Sequence, residues 1–115
     1  MNTPSEPKHP SLPGVQIMAV PVISTYHITK EDGRLLLDQW AYRVHPGIMA
    51  EIGFPDGGGH LLHISGESES DIELEWSEYS ANFIWCLMKL QRMDFNYVRL
   101  DGDGGVVPEW PTFDW

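Results

Sequence analysis

The chain has 115 residues, enough for one domain with one hydrophobic core and too few for two domains of ordinary size. Seventeen acids against seven bases give a formal charge of −10, which repels phosphate backbones and anionic headgroups and argues against direct nucleic-acid binding. A 42% hydrophobic content with five Trp, four Tyr and four Phe argues against disorder, and no apolar run approaches the roughly 20 residues that span a bilayer, so no membrane contact is expected.

Residues 1–14, MNTPSEPKHPSLPG, hold four prolines and predict a flexible arm ahead of a single domain over residues 15–115. From Val15 to Ile28 the β-branched and apolar residues predict a first strand, with Pro21 at a bulge or an edge. Thr29 opens a capping-box-like start to a helix over about Lys30 to Arg43, in which Leu36, Leu37, Trp40, Ala41 and Val44 form an apolar stripe while Asp32, Arg34 and Asp38 face water.

The runs Ile48 to Phe54 and His60 to Ser65 flank Pro-Asp-Gly-Gly-Gly and predict a hairpin. The next stretch, GESESDIELEW at residues 66–76, alternates acids with Ile72, Leu74 and Trp76 and predicts a fourth strand with Glu67, Glu69, Asp71, Glu73 and Glu75 on its outer side. Ser77 is placed to cap a second helix over about Glu78 to Met93, whose apolar middle implies burial, and Phe95 to Leu100 reads as the last strand. The order β-α-β-β-β-α-β predicts an α+β two-layer sandwich with both helices on one face of a mostly antiparallel sheet.

His60 and His63 are spaced as metal ligands sometimes are, but on a strand residues three apart point to opposite faces. His45 before Pro46 reads as a helix-end cation. Asp101 and Asp103 in DGDGG lack the remaining ligands of a calcium loop and read as a turn. The glycines at 57–59 lack the Lys and helix of a phosphate-binding loop. Cys86, the single cysteine, sits in the most apolar helix as a small buried hydrophobe; its lone occurrence, with no leader pattern at the start, predicts a cytoplasmic protein without disulfides. No cofactor or metal is expected.

The stretches ISTYHITKEDGRLLLDQW and YVRLDGDGGVVPEWPTFDW, residues 23–40 and 97–115, resemble a family of small uncharacterised proteins carried by bacterial plasmids, prophages and integrative elements. The resemblance implies a genomic habitat, that of accessory or counter-defence proteins, and no catalytic residue.

Three functions compete. The first is a non-enzymatic binding protein whose acids at 67, 69, 71, 73 and 75 meet a basic protein surface, such as that of a nucleic-acid-binding protein, in the manner of a nucleic-acid mimic. The aromatic tail, through Trp110, Phe113 and Trp115, would dock on that partner, on its own domain or in a homodimer. The second is a small enzyme built from His27, Glu51, His60 or His63 with Tyr26, which requires these residues to converge. The third is a homo-oligomeric structural or regulatory module held by Trp and Met surface.

Overall fold

A computed structural model describes residues 12–52, 59–64 and 68–114. Strand β1 (Val22–Ser24) leads into a 3-10 turn (Thr25–His27) and helix α1 (Lys30–Ala41); strands β2 (Ile48–Ile52) and β3 (Gly59–His63) follow, then helices α2 (Glu69–Glu75) and α3 (Ala81–Arg92) and strand β4 (Tyr97–Asp101). The fold is α+β, with a mixed sheet in the order β1-β4-β3-β2. β4 pairs antiparallel with β3 and parallel with β1, and β2 and β3 pair antiparallel, as the hairpin pattern predicts.

Alternate residues of the central strands, Leu62 on β3 and Val98 and Leu100 on β4, are buried on one face. They share a core with Leu36 of α1, Ile72 of α2, Trp76 just beyond it, and Phe83, Leu87 and Leu90 of α3. On the other face Leu61, His63, Tyr97 and Arg99 are only half-buried, and Val22 is exposed. A two-layer arrangement follows, because each helix has one apolar side and the sheet has one mostly apolar face to receive it.

Three expectations about the elements need correction. The first strand is confined to Val22–Ser24, and residues 12–20 are exposed. Pro21 cannot donate to a ladder, and at the far end Ser24 caps the 3-10 turn by accepting the Tyr26 amide at 3.0 Å, which bends the chain off the sheet. The predicted fourth strand is instead the helix α2. Ser68 is its N-cap, accepting the Asp71 amide at 3.3 Å, and Glu69 and Asp71 lie in the first turn, where the helix dipole favours negative charge. The helix predicted from Glu78 begins at Ala81, capped by Ser80 rather than Ser77: the Ser80 hydroxyl accepts the Phe83 amide at 3.1 Å. Among the described residues there are therefore three α-helices, and the order after the hairpin is α-α-β.

α1 starts as its sequence predicts. Thr29 accepts the Asp32 amide at 3.1 Å while its own amide donates to Asp32 Oδ2 at 3.3 Å, closing a capping box. Asp32 does not face water, however; it is 3% exposed, for a reason that lies on another helix. The DGDGG segment is a turn: Asp101 Oδ1 accepts the Asp103 amide at 2.9 Å, and the Gly104 amide donates to the Asp101 carbonyl at 2.9 Å. A Cβ on Gly104 would lie 2.5 Å from the Ile23 carbonyl carbon, so only glycine lets the chain after β4 run back against β1.

Candidate functional site

The acids from 69 to 75 do not form a line. Successive residues of a helix are separated by about 100°, so alternate acids fall on different sides. Glu69 turns toward α3 and pairs with Arg92, whereas Asp71 and Glu73 are exposed and Glu75 is half-buried. Glu67 lies outside the described residues.

The apolar side of α2 is set by Ile72, four residues before Trp76, and both are fully buried. Leu74 is directed away from them and is 77% exposed. Asp71, one turn back, and Glu73 flank it, and Glu78 beyond the helix end is also exposed. The outer side of α2 is thus a single large apolar side chain among carboxylates.

The tail folds back on its own domain. His27, fully buried, is its anchor: the Val107 amide donates to Nε2 at 2.8 Å, and Nδ1 donates to the Pro111 carbonyl at 2.8 Å. These two partners fix the tautomer, since an amide can only donate and a carbonyl can only accept. Trp110 packs edge-on against Trp85 of α3 at 5.2 Å and against His27 at 5.6 Å, and the Phe113 amide donates to the Tyr26 carbonyl at 2.7 Å. Trp115 lies outside the described residues.

The five residues of the enzymatic reading separate. His27 is committed to the tail, and Tyr26 is exposed on the 3-10 turn. His63 stands on the open sheet face beside Tyr97, ring centres 4.9 Å apart. Only Glu51 and His60, directly opposed on β2 and β3, line one cavity. Burial lowers the pKa of His60 below its ordinary value, with the Glu51 carboxylate acting against it.

The remaining candidates have structural partners. His45 is no helix-end cation in its bonding: Nδ1 accepts the Gly47 amide and Nε2 donates to the Glu75 carbonyl, both at 3.0 Å, and the ring stacks on Trp76 at 4.0 Å. Burial, with the Asp32 charge behind it, pushes the Cys86 thiol up to about 12, so it is no nucleophile at neutral pH. Tyr79 donates to Gln39 Oε1 at 2.6 Å, and its pKa is raised by burial and by the charges of Asp32 and Glu78. The Asp103 amide, together with the Arg99 guanidinium, holds Asp101 below the ordinary carboxylate range. Among the described residues no three His, Cys, Asp or Glu side chains gather as a metal site, and no helix is long and apolar enough to cross a membrane.

Residues 20–115 match the model of a family of unknown function, DUF5983, C-terminal domain, and the chain belongs to that family. No curated protein and no solved structure matches it.

Proposed function

We propose that this DUF5983 domain is a non-enzymatic binding protein that docks a basic protein surface through the outer side of α2. The observation that carries the reading is Leu74, exposed at the centre of an acidic surface while Ile72 and Trp76 on the opposite side of the same segment supply the packing. Leu74 is not part of the buried core. A large apolar group ringed by charge has the composition of a docking anchor with a polar rim, in which the anchor fills a pocket and the rim steers encounter.

The geometry differs from a linear phosphate mimic, because helical acids present a compact cluster rather than an extended ladder of charge. The partner surface is therefore a basic patch with an apolar pocket, of the kind a nucleic-acid-binding protein carries. In the mobile-element habitat that the sequence resemblance implies, such a protein would be a defence factor and this chain its inhibitor.

Affinity capture from the host at low and high salt, with the parent and with a Glu73→Gln/Leu74→Ser variant, tests the proposal. Capture of one basic protein that weakens with salt and is lost in the variant supports it; equal capture by parent and variant overturns it.

A further inference from the structure

Between α1 and the sheet lies a cavity of about 340 Å³, within the size range of small-molecule sites. Its wall is mostly apolar, formed by Ile28, Leu36 and Leu100. Gly33, inside α1, is also part of the wall. A helix-interior glycine weakens its helix relative to alanine, so its gain here is the room left by the missing side chain. Gly59 lies on the opposite wall, where a Cβ would come within 2.0 Å of the Leu100 carbonyl oxygen.

Three polar side chains interrupt this apolar lining: Thr25, Glu51 and His60. Glu51 is exposed and so belongs to the mouth. His60 is 7% exposed, and its Nε2 is buried without a hydrogen-bond partner among the described residues. A polar atom taken out of water and given nothing in exchange is rare in folded proteins, and a ligand is one way of satisfying it.

We propose that this cavity binds a small, mainly apolar molecule bearing a hydrogen-bond donor, neutral or cationic, such as an indole or an arylalkylamine. The apolar body lies against Ile28, Leu36 and Leu100, the His60 ring takes the donor, and Glu51 at the mouth favours a positive charge and disfavours an anion. The chain's net charge of −10 acts in the same direction. Lowered basicity keeps the imidazole neutral at physiological pH, free to accept. None of the cavity residues belongs to the outer side of α2, so this site stands or falls independently of the protein-docking reading.

Three probes that share one ring and differ in charge test the assignment: indole, tryptamine and indole-3-acetate, titrated into the isotope-labelled full chain and followed by NMR. Indole and tryptamine are expected to shift the His60 and Leu36 resonances, with indole-3-acetate weaker by at least about tenfold. His60→Leu, which keeps the bulk and removes the ring nitrogens, should weaken both binders by about tenfold or more. Gly33→Leu, which fills the cavity and strengthens the helix, should abolish the shifts. If that variant does not fold, Leu37→Trp blocks the same cavity from the rim residue of α1. Absence of binding by both indole and tryptamine, equal binding of the acetate, or undiminished binding in the filled variant overturns the proposal.

Discussion

Asp32 and Ser80 lie 48 positions apart in sequence, yet Ser80 bonds Asp32 twice: its amide donates to Oδ1 at 2.9 Å and its hydroxyl to Oδ2 at 2.5 Å. The carboxylate that closes the capping box of α1 thus also holds the N-cap of α3, and two helix starts are fastened to one buried charge. Asp32→Ala should therefore cost more than a single cap. Losing a cap costs about 1 kcal/mol and a charged hydrogen bond about 1.5 to 3, so a loss of about 3 kcal/mol in urea unfolding is expected. A loss under about 1 kcal/mol would show that the two helices are not coupled through this group.

His27 governs the tail in the same way. Its ring accepts from Val107 and donates to Pro111, so one buried side chain holds two points of the tail at once. His27→Ala should release residues 106–114 from the 3-10 turn and from Trp85. Hydrogen exchange at the Val107 and Phe113 amides is expected to rise well above the parent rate, with β3 and β4 still protected. Unchanged exchange at both amides would mean that Trp110 packing alone holds the tail.

Trp76 is fully buried between stacked His45 and tilted Phe83, ring centres 4.0 and 5.4 Å away. Trp76→Ala should cost about 3 to 5 kcal/mol, read from the shift of the thermal or denaturant midpoint. Gly47→Ala should act at the same place, because an added Cβ would lie 2.6 Å from the indole. A parent-like midpoint in Trp76→Ala would place the indole outside the core.

The sequence is most legible where the signals are local. The Thr29–Asp32 capping box and the glycine turn after β4 each declare themselves within a few residues, and the structure follows them, whereas the apolar stripe expected on α1 is kept only at buried Leu36 and half-buried Trp40, with Leu37, Ala41 and Val44 exposed. α2 is misread because Ile72, Leu74 and Trp76 satisfy a period of two while Ile72 and Trp76 alone satisfy the helical spacing of four. The deciding signal is Ser68 three residues before Asp71, a cap that the alternating acids obscure. From its own helix alone Asp32 reads as water-facing, because its second partner, Ser80, is supplied by tertiary packing. The opposition of Glu51 and His60 likewise depends on hairpin register, whereas the cavity they line exists only once α1 lies across the sheet.

Acid should weaken the fold in two separate windows. Burial lowers the pKa of His60, so below the ordinary histidine range, about 6.5, the unfolded chain takes up a proton that the folded chain resists. Its effect is absent above that range, and stability declines as pH falls through it. Asp101 is also depressed, so its contribution is complete above about pH 4 and is lost only below that. Comparing urea midpoints at about pH 7.5 and 5.5 therefore excludes Asp101 and reads the histidine window. His60→Leu should shrink the difference between the two midpoints; a parent-sized difference would show that His60 titrates as an exposed histidine does.

Leu74 and its neighbouring acids should affect different rate constants for a basic partner. Leu74 is 77% exposed, and Glu73 is exposed beside it, so Leu74→Ser and Glu73→Gln should each change stability by no more than about 0.5 kcal/mol. Long-range attraction acts during approach, hence Asp71→Asn/Glu73→Gln should slow association at low salt, with the difference fading as screening shortens to about 8 Å near 0.15 M. An anchor in a pocket acts after contact, so Leu74→Ser should leave association nearly unchanged and speed dissociation, by about tenfold for each 1.4 kcal/mol of lost burial. Surface resonance against the captured partner separates the two constants. If Leu74→Ser dissociates at the parent rate while the charge variant still slows association, the acids attract a partner that does not seat on α2, and the docking surface lies elsewhere on the domain.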